Sequence, residues 1–483
     1  MTTSRTSPMP VEIDAEDDAP LYEARRQIYP QSVHGRFRRI KWAVLMVTLA
    51  IYYLLPFVRW GRGPDAPSQA VLIDFSARRF YFFFLEIWPQ EFYYVAGLLI
   101  LASLILFLMN AVAGRVWCGY LCPQTVWTDL FLAVERLIEG DRRERMRADA
   151  GPWTLEKVTH KTLKHAIWLI IAWWTGGAWV LYFADAPTLV VELATLQAPT
   201  VAYASIAILT FTTYVLAGHM REQVCTYMCP WPRIQAALTD EYALNVTYRY
   251  DRGEPRNSMK KAAVLREAHQ PAGDCIDCNQ CVAVCPTGVD IRNGSQLACI
   301  QCGLCIDACN TVMDKIERPR DLIAYDSEAN FKARTEGKPP VRHIVRARTV
   351  LYVVLILVAG GLMLTSVARR SLQDLAAIHD RNPLFVRLSD GAIRNAYTLR
   401  IANKKLEERT FMVSVAGVSG AALDIVGADG MAASVGPDQT RELRVLVTTR
   451  APLPQGASLP ITFTIRDAAT GVEATAADHF IGP

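Results

Sequence analysis

The sequence predicts a polytopic α-helical membrane protein of about five spans, with an inserted cytoplasmic α+β domain and a C-terminal all-β domain. Three observations support this fold class: long apolar stretches, a dense run of cysteines between the last two stretches, and alternating apolar residues towards the C-terminus. With 483 residues, 51% of them hydrophobic, and a mean hydropathy of +0.15, the chain is more apolar than ordinary soluble multidomain proteins.

The apolar stretches define the predicted spans, because crossing the hydrocarbon core takes about 20 mostly apolar residues. They lie at 41–60, 92–112, 165–183, 201–216 and 350–367. A buried helix of a soluble protein is the alternative for any one of them, above all for the short fourth stretch. The predicted domains are an N-terminal cytoplasmic tail at 1–40, a membrane domain with spans 1–4 at 41–220, a cysteine-rich domain at 221–347, the fifth span at 348–368 and a periplasmic domain at 369–483.

Positive charges predict the orientation, since segments rich in Lys and Arg resist translocation. Four Lys or Arg residues lie within 36–41 and seven within 142–164, whereas 184–200 has none. We therefore expect the N-terminus and the cysteine-rich domain in the cytoplasm and the C-terminal domain outside. Four arginines between 59 and 79 are a weaker signal for the opposite orientation.

Eight of the twelve cysteines lie in the predicted cytoplasmic domain, in two runs of C-x-x-C-x-x-C-x-x-x-C. This doubled spacing is that of bacterial ferredoxins with two [4Fe-4S] clusters, in which the fourth cysteine of each run ligates the other cluster. The predicted ligand sets are Cys275, Cys278, Cys281 and Cys309 for one cluster, and Cys299, Cys302, Cys305 and Cys285 for the second. Two zinc sites are the alternative, although zinc ribbons do not need the third cysteine of each run. Pro286 follows the first run as expected, whereas Asn310 follows the second.

The other four cysteines form two copies of C-x-x-x-C-P at predicted cytoplasmic ends of spans: Cys118, Cys122 and Pro123, and Cys225, Cys229 and Pro230. In a continuous helix, residues four apart share one face, and the proline stops or kinks the helix just beyond. Four thiols on neighbouring helices can converge on one metal or redox centre, and soft thiolates prefer Cu(I), zinc or an iron–sulfur centre. Buried, inert cysteines are the alternative. Nearby candidates for supporting ligands, with packing or capping as the alternative, are His219, Met220 and Met228.

The predicted external domain alternates apolar and polar residues, which indicates β-strands. The alternating sets are Tyr397, Leu399 and Ile401; Phe411, Val413 and Val415; Leu443, Val445 and Val447; and Ile461, Phe463 and Ile465. Short strands divided by turn residues predict an immunoglobulin-like sandwich of about 100 residues. It offers no catalytic group, so we expect contact with another protein, or simple packing beside the membrane.

Taken together, the paired C-x-x-x-C-P motifs, the ferredoxin run, the fifth span and the entry segment 380–386 resemble the CcoG/FixG/RdxA family. The resemblance implies an accessory protein for assembly of cbb3-type cytochrome c oxidase in the bacterial inner membrane, which reduces Cu(II) to Cu(I). Implied partners are oxidase subunits or copper-handling assembly factors. It implies electron relay by the eight ferredoxin cysteines and a copper-facing or terminal redox site, with copper as a candidate ligand, at Cys118, Cys122, Cys225 and Cys229.

Two other functions stay open. The membrane half also resembles NapH-like and NosR-like quinol-linked iron–sulfur proteins, which implies a conduit that takes electrons from quinol. Alternatively, the clusters are structural and the chain is a scaffold that gathers oxidase subunits. No glycine-rich nucleotide loop follows a strand, so direct use of NADH is not expected, and the electron donor is not predicted. No nucleic-acid partner is expected.

Overall fold

The protein is described by a computed structural model over residues 27–63, 66–339, 343–427 and 430–483. Residues 1–26 of the predicted N-terminal tail lie outside the described residues. The helices are α1 (Arg36–Leu54), α2 (Tyr93–Ala113), α3 (Val116–Tyr120), α4 (Pro123–Glu139), α5 (Arg142–Ala150), α6 (Leu155–Val180), α7 (Ala186–Ala194), α8 (Thr200–Thr213), α9 (Trp231–Leu238), α10 (Tyr250–Gly253), α11 (Met259–Glu267), α12 (Gln280–Ala283), α13 (Leu304–Lys315), α14 (Glu328–Thr335) and α15 (Ala347–Ala368). The strands are β1 (Val71–Asp74), β2 (Arg79–Phe82), β3 (Leu85–Ile87), β4 (Asn245–Tyr248), β5 (Ile323–Asp326), β6 (Gln373–His379), β7 (Val386–Arg387), β8 (Ile393–Asn403), β9 (Arg409–Ala416), β10 (Ala422–Ile425), β11 (Ala432–Val435), β12 (Gln439–Thr449), β13 (Ser458–Asp467) and β14 (Glu473–Ile481).

Four helical segments of the described chain are long and apolar enough to cross a membrane: Arg36–Phe57, Pro89–Ala113, Thr200–Met220 and Ala347–Ala368. They overlap predicted spans 1, 2, 4 and 5, and the fourth span reaches 21 residues because a π-helical segment continues α8. Predicted span 3 lies in α6, which begins with charged residues and whose apolar part is rich in Trp and Gly, so its hydropathy is lower. The chain is thus a membrane protein, and the count of five spans stays a prediction.

The cysteine-rich domain is a small α+β unit that docks on the start of α1. Strands β4 and β5 pair antiparallel, and α13 packs beside them. Asp307 of α13 accepts hydrogen bonds from the backbone amides of Phe37 (3.2 Å) and Arg38 (2.8 Å). The carboxylate therefore satisfies amides in the first turn of α1, which have no partner within the helix.

The C-terminal domain is a sandwich of two antiparallel sheets, which confirms the predicted β architecture. One sheet has the order β10-β12-β8-β6, with β7 paired to β8, and the other has the order β11-β9-β13-β14. The alternating residues form its core: Tyr397, Leu399, Ile401, Phe411, Val445, Val447, Phe463 and Ile465 are all fully buried. Val415 is only half-buried, because β9 reaches the rim of the sandwich there.

The sandwich also contacts the loop between the first two membrane helices. Strands β1, β2 and β3 form a small antiparallel sheet in this loop, and Arg79 of β2 pairs with Asp438 of the sandwich. Lys404 Nζ lies 2.9 Å from Glu91 Oε1 just before α2. Since the cysteine-rich domain precedes α15 and the sandwich follows it, the two domains lie at opposite ends of that helix.

Candidate metal and thiol centre

Two cavities in the cysteine-rich domain are lined by the two predicted ligand sets. The first is lined by Cys275, Cys278, Cys281 and Cys309. The second is lined by Cys285, Cys299, Cys302 and Cys305, with Cys281 in its wall as well. The fourth cysteine of each run thus lies with the other run, as the ferredoxin spacing predicts.

Loop and helix geometry bring these cysteines together. Cys281 lies in the short helix α12, and Cys305 and Cys309 lie one turn apart on α13. Gly303 starts α13 with a φ of 73°, a left-handed conformation that glycine adopts without strain, and this lets the loop carrying Cys302 turn sharply into the helix. The backbone amide of Val289 donates to Cys285 Sγ at 3.3 Å, a contact of the kind that tunes a cluster's potential.

The donor set fits iron–sulfur clusters. Burial raises the pKa of Cys281 to about 11 and those of Cys299 and Cys309 to about 12, so these thiols lose their protons only when a metal takes their place. In the described residues, no three His, Cys, Asp or Glu side chains lie close enough together to hold a single ion. The four thiolates of a cubane bind different irons, whereas those of a zinc site share one ion. Each cavity therefore suits a cubane better than zinc.

The C-x-x-x-C-P motifs interrupt their helices in a way that the sequence did not predict. Helix α3 ends at Tyr120, and Cys122 has an extended backbone directly before Pro123, the first residue of α4. Cys225 lies in a π-helical turn, Val224–Met228, and Cys229 is again extended. Pro123 is the first residue of α4, a position where its missing amide costs nothing, and Pro230 directly precedes α9, so both prolines lie at the start of a new helix.

The four thiols of these motifs nevertheless lie near one another, although, among the described residues, no three of them are close enough to hold a single ion. We call them the thiol quartet: Cys118, Cys122, Cys225 and Cys229. Burial, together with the nearby thiols Cys122, Cys225 and Cys229, raises the pKa of Cys118 to about 12. The pKa of Cys225 is likewise about 12, for the same reasons. The quartet is therefore a group of half-buried thiols from two separate parts of the membrane domain, and burial keeps Cys118 and Cys225 protonated.

The thiol quartet lies directly beside the second cavity. Cys118 and Cys225 both pack against a buried cluster that contains Ile300 and Cys302. Between Cys118 and Tyr120, a side chain on Gly119 would meet the carbonyl oxygen of Ile300 at 2.8 Å and Cys302 Cα at 3.0 Å. Glycine at this position thus allows α3 to contact the loop of the second cavity without an intervening side chain. Sequence spacing did not indicate this contact.

A buried arginine, Arg115, joins the quartet to the second cavity, a role that could not be predicted from its position before Cys118 in the sequence. Arg115 Nη1 donates to the carbonyl oxygens of Leu297 (2.7 Å) and Cys299 (3.3 Å), and Nη2 donates to Pro232 (3.0 Å). The cation opposes the rise that burial causes in the pKa values of Cys118 and Cys299. Arg115 therefore favours negative charge on both sides of the contact.

The three candidate supporting ligands have different surroundings. His219 stacks on His165 of α6, with ring centroids 5.6 Å apart. Met220 ends the π-helical continuation of α8, and Met228 is 55% exposed. A ligand role for any of them stays a prediction.

Comparisons with known proteins identify the cluster-binding regions and the sandwich. Residues 220–328 match a family profile described as a 4Fe-4S dicluster domain, and residues 95–139, which include Cys118 and Cys122, match a 4Fe-4S binding domain. Residues 363–483 match an IG-like fold at the C-terminus of FixG.

Full-length relatives agree with these matches. The chain is 52% identical over 469 residues to nitrogen fixation protein FixG of Rhizobium meliloti, covering 90% of this chain and 88% of FixG. It is 52% identical over 451 residues to protein RdxA of Cereibacter sphaeroides, covering 93% of each chain. It is also 51% identical over 430 residues to RdxB of that organism, covering 88% of this chain and 90% of RdxB. The iron–sulfur profiles, the apolar helices and these relatives together show that the chain is a membrane iron–sulfur protein of the CcoG/FixG/RdxA family.

Proposed function

We propose that the protein reduces Cu(II) to Cu(I) at the thiol quartet and acts in assembly of a cbb3-type cytochrome c oxidase. The observation that carries this proposal is the contact between the quartet and the second cavity through Gly119. A reducing centre and a group of soft ligands for the reduced ion lie side by side, which suits single-electron transfer to copper.

Each part of the site has a definite task. The eight cysteines of the two cavities hold two [4Fe-4S] clusters, which when bound supply single electrons. Copper is the substrate: one electron converts Cu(II) to Cu(I), the ion that thiolates prefer. Burial keeps Cys118 and Cys225 protonated, so copper must displace their protons when it binds. The positive charge of the bound copper then offsets the negative charge of the thiolates.

The proposal also includes the side of the membrane that each part of the protein faces. The quartet and both cavities face the cytoplasm, and the sandwich faces the periplasm, where it can contact oxidase subunits or assembly factors. The positive charges around 36–41 and 142–164 support this orientation, since Asp307 of the cysteine-rich domain binds the start of α1, and Arg142 donates to the carbonyl of Tyr29 just before that helix.

The test uses anaerobically purified full-length protein and compares two variants. In the first, all four quartet cysteines are replaced by serine. In the second, Tyr227→Phe changes an exposed side chain between Cys225 and Cys229 and serves as the matched control. We expect about eight iron atoms per chain in both variants, as two cubanes require.

The readout is formation of Cu(I) after the clusters are chemically reduced, followed with a colour-forming Cu(I) chelator. The serine variant should keep its cluster absorbance and lose cupric reduction, and Tyr227→Phe should keep both. Unchanged cupric reduction in the serine variant would show that copper is reduced elsewhere. Zinc instead of iron in the purified protein would remove the proposal altogether.

A further inference from the structure

A large apolar cavity lies among the membrane helices, away from the thiol quartet. It is lined by α1 and the turn after it, α6, α7 and α8, it opens at Trp173 and Trp174, which are half-exposed, and its volume is about 370 Å³. Its aromatic lining consists of Tyr53, Phe57, Trp173, Trp174 and Tyr203. Cavities of this size with mostly apolar walls and few polar groups are typical small-molecule sites. The walls suit a flat ring with a hydrocarbon tail.

One polar atom in the cavity wall indicates which chemical group a bound molecule carries. Tyr203 Oη is buried and has no hydrogen-bond partner within the described residues. A buried hydroxyl without a hydrogen-bond partner is unfavourable, most of all in a membrane, where no water is present to take the partner's place. The acyl chain of a phospholipid offers no acceptor, whereas a ring oxygen does. The cavity therefore favours an apolar ring that bears oxygen.

A second observation connects this cavity to the thiol quartet. Thr175 Oγ1 accepts from Trp127 Nε1 (2.9 Å) and pairs with Tyr53 Oη (2.9 Å), and the Thr175 carbonyl accepts from Tyr52 Oη (2.8 Å). Tyr53 lines the cavity, and Trp127 lies on α4, the helix that Cys122 caps. Polar networks at membrane depth are costly and mark functional paths.

The rings of this network are also in contact with each other. The centroids of Tyr52 and Tyr53 are 5.2 Å apart, and those of Tyr52 and Trp127 are 5.4 Å apart. Aromatic side chains thus run without a break from the cavity wall to the helix that begins at the quartet. A redox-active ring in the cavity would be next to this row.

We propose that the cavity binds an isoprenoid quinone, with a ring oxygen paired to Tyr203 Oη and the ring against the tryptophans. Its role as electron donor rests on the proposed function: one quinol breaks two O–H bonds, passes two protons to water and supplies two electrons, which reduce two Cu(II) ions to Cu(I). Binding of the oxidised quinone needs neither copper nor electrons, so it is tested separately from that reaction.

The experiment measures binding of a short-chain ubiquinone to the full-length protein in detergent through quenching of tryptophan fluorescence. Gly177 lines the cavity, and a Cβ there would meet no atom within 4 Å, so Gly177→Leu begins its side chain in open space and fills part of the cavity. Tyr203→Phe removes only the hydroxyl. Tyr93→Phe, on α2 and outside the lining, is the matched control. Farnesol, which has an isoprenoid tail and no quinone ring, is the control ligand.

We expect saturable quenching by the quinone, none by farnesol, and loss of the saturable part in Gly177→Leu. Tyr203→Phe should weaken binding about tenfold, as expected for one buried hydrogen bond, and Tyr93→Phe should not. Quenching that never saturates, or equal affinity in all variants, would overturn the proposal. So would native mass spectrometry that shows a tightly held phospholipid which the quinone does not displace. Normal binding with no cupric reduction would instead count only against the proposed function.

Discussion

Asp307 links the cysteine-rich domain to the first membrane helix, and replacing it should loosen that link measurably. Its carboxylate accepts hydrogen bonds from the amides of Phe37 and Arg38, and the side chain is 6% exposed. Asn at this position keeps one neutral oxygen and places an amino group against a backbone amide. The Asp307→Asn variant should therefore lose one charged hydrogen bond and weaken the other.

The expected size follows from these contacts. Hydrogen bonds to charged groups contribute about 1.5–3 kcal/mol each. We expect Asp307→Asn to lower the free energy of local opening by about 2 kcal/mol, a factor of about 30 in the opening equilibrium. Gly35→Ala should act on the same contact, because its Cβ would lie 2.2 Å from Asp307 Cγ. The double variant should then show less than the sum of the two effects.

Hydrogen exchange of the full-length protein in detergent measures this opening directly, in the peptide that contains the amides of Phe37 and Arg38. We expect about 30-fold faster exchange in Asp307→Asn. Asp314→Asn is the matched control, because Asp314 lies on the same helix but forms an exposed ion pair with Arg320, and such pairs contribute little. Unchanged exchange in Asp307→Asn, or equal acceleration in the control, would show that the carboxylate does not hold the two domains together.

Three further outcomes are expected. Gly119→Ala should alter the electron paramagnetic resonance signal of only one reduced cluster, because its Cβ would press on the loop of the second cavity; two unchanged signals would contradict the contact. Since the pKa values of Cys118 and Cys225 are raised to about 12, Cu(I) binding must expel protons, so the affinity measured by chelator competition should increase with pH; a flat profile would exclude thiol ligation. Asp467→Asn should destabilise the sandwich by about 3 kcal/mol in hydrogen exchange, because it leaves the buried Arg409 unpaired. Burial opposes ionisation of Asp467, but hydrogen bonds from Thr470 and Arg409 lower its pKa to about 2, so this stability should be present above about pH 4 and lost as the pH falls towards 2; no acid loss would contradict the pair.

The parts of the site that could be predicted from the sequence are those in which local spacing decides geometry. A ferredoxin loop must place three cysteines around one cluster, so the spacing alone indicates that Cys285 and Cys309 exchange partners, and each lies in the expected cavity. The alternation of apolar and polar residues likewise identified the core of the sandwich, because a strand that is buried on one face has an apolar residue at every second position.

Contacts between distant segments could not be predicted. Nothing near Gly119 indicates that its missing side chain makes room for Ile300. The partners of the arginines between 59 and 79 could likewise not be predicted. Arg62 donates to four backbone carbonyls, and Arg79 pairs with Asp438 in the sandwich. Both charges are used within the fold, and the orientation of the chain in the membrane stays a prediction.

The surroundings of the two cavities suggest the order in which electrons would travel. Cys278 of the first cavity is exposed, whereas the second cavity lies under the membrane domain, in contact with the thiol quartet. Arg115 adds positive charge on the quartet side of the second cavity, and this favours a reduced, more negative cluster there. A cluster in the second cavity should therefore be the immediate partner of the quartet, with the first cavity open to exchange with solvent. Replacing Arg115 with Gln should lower the reduction potential of one cluster and leave that of the other unchanged. If a potentiometric titration of this variant shows equal shifts of both potentials, the role of Arg115 is purely structural.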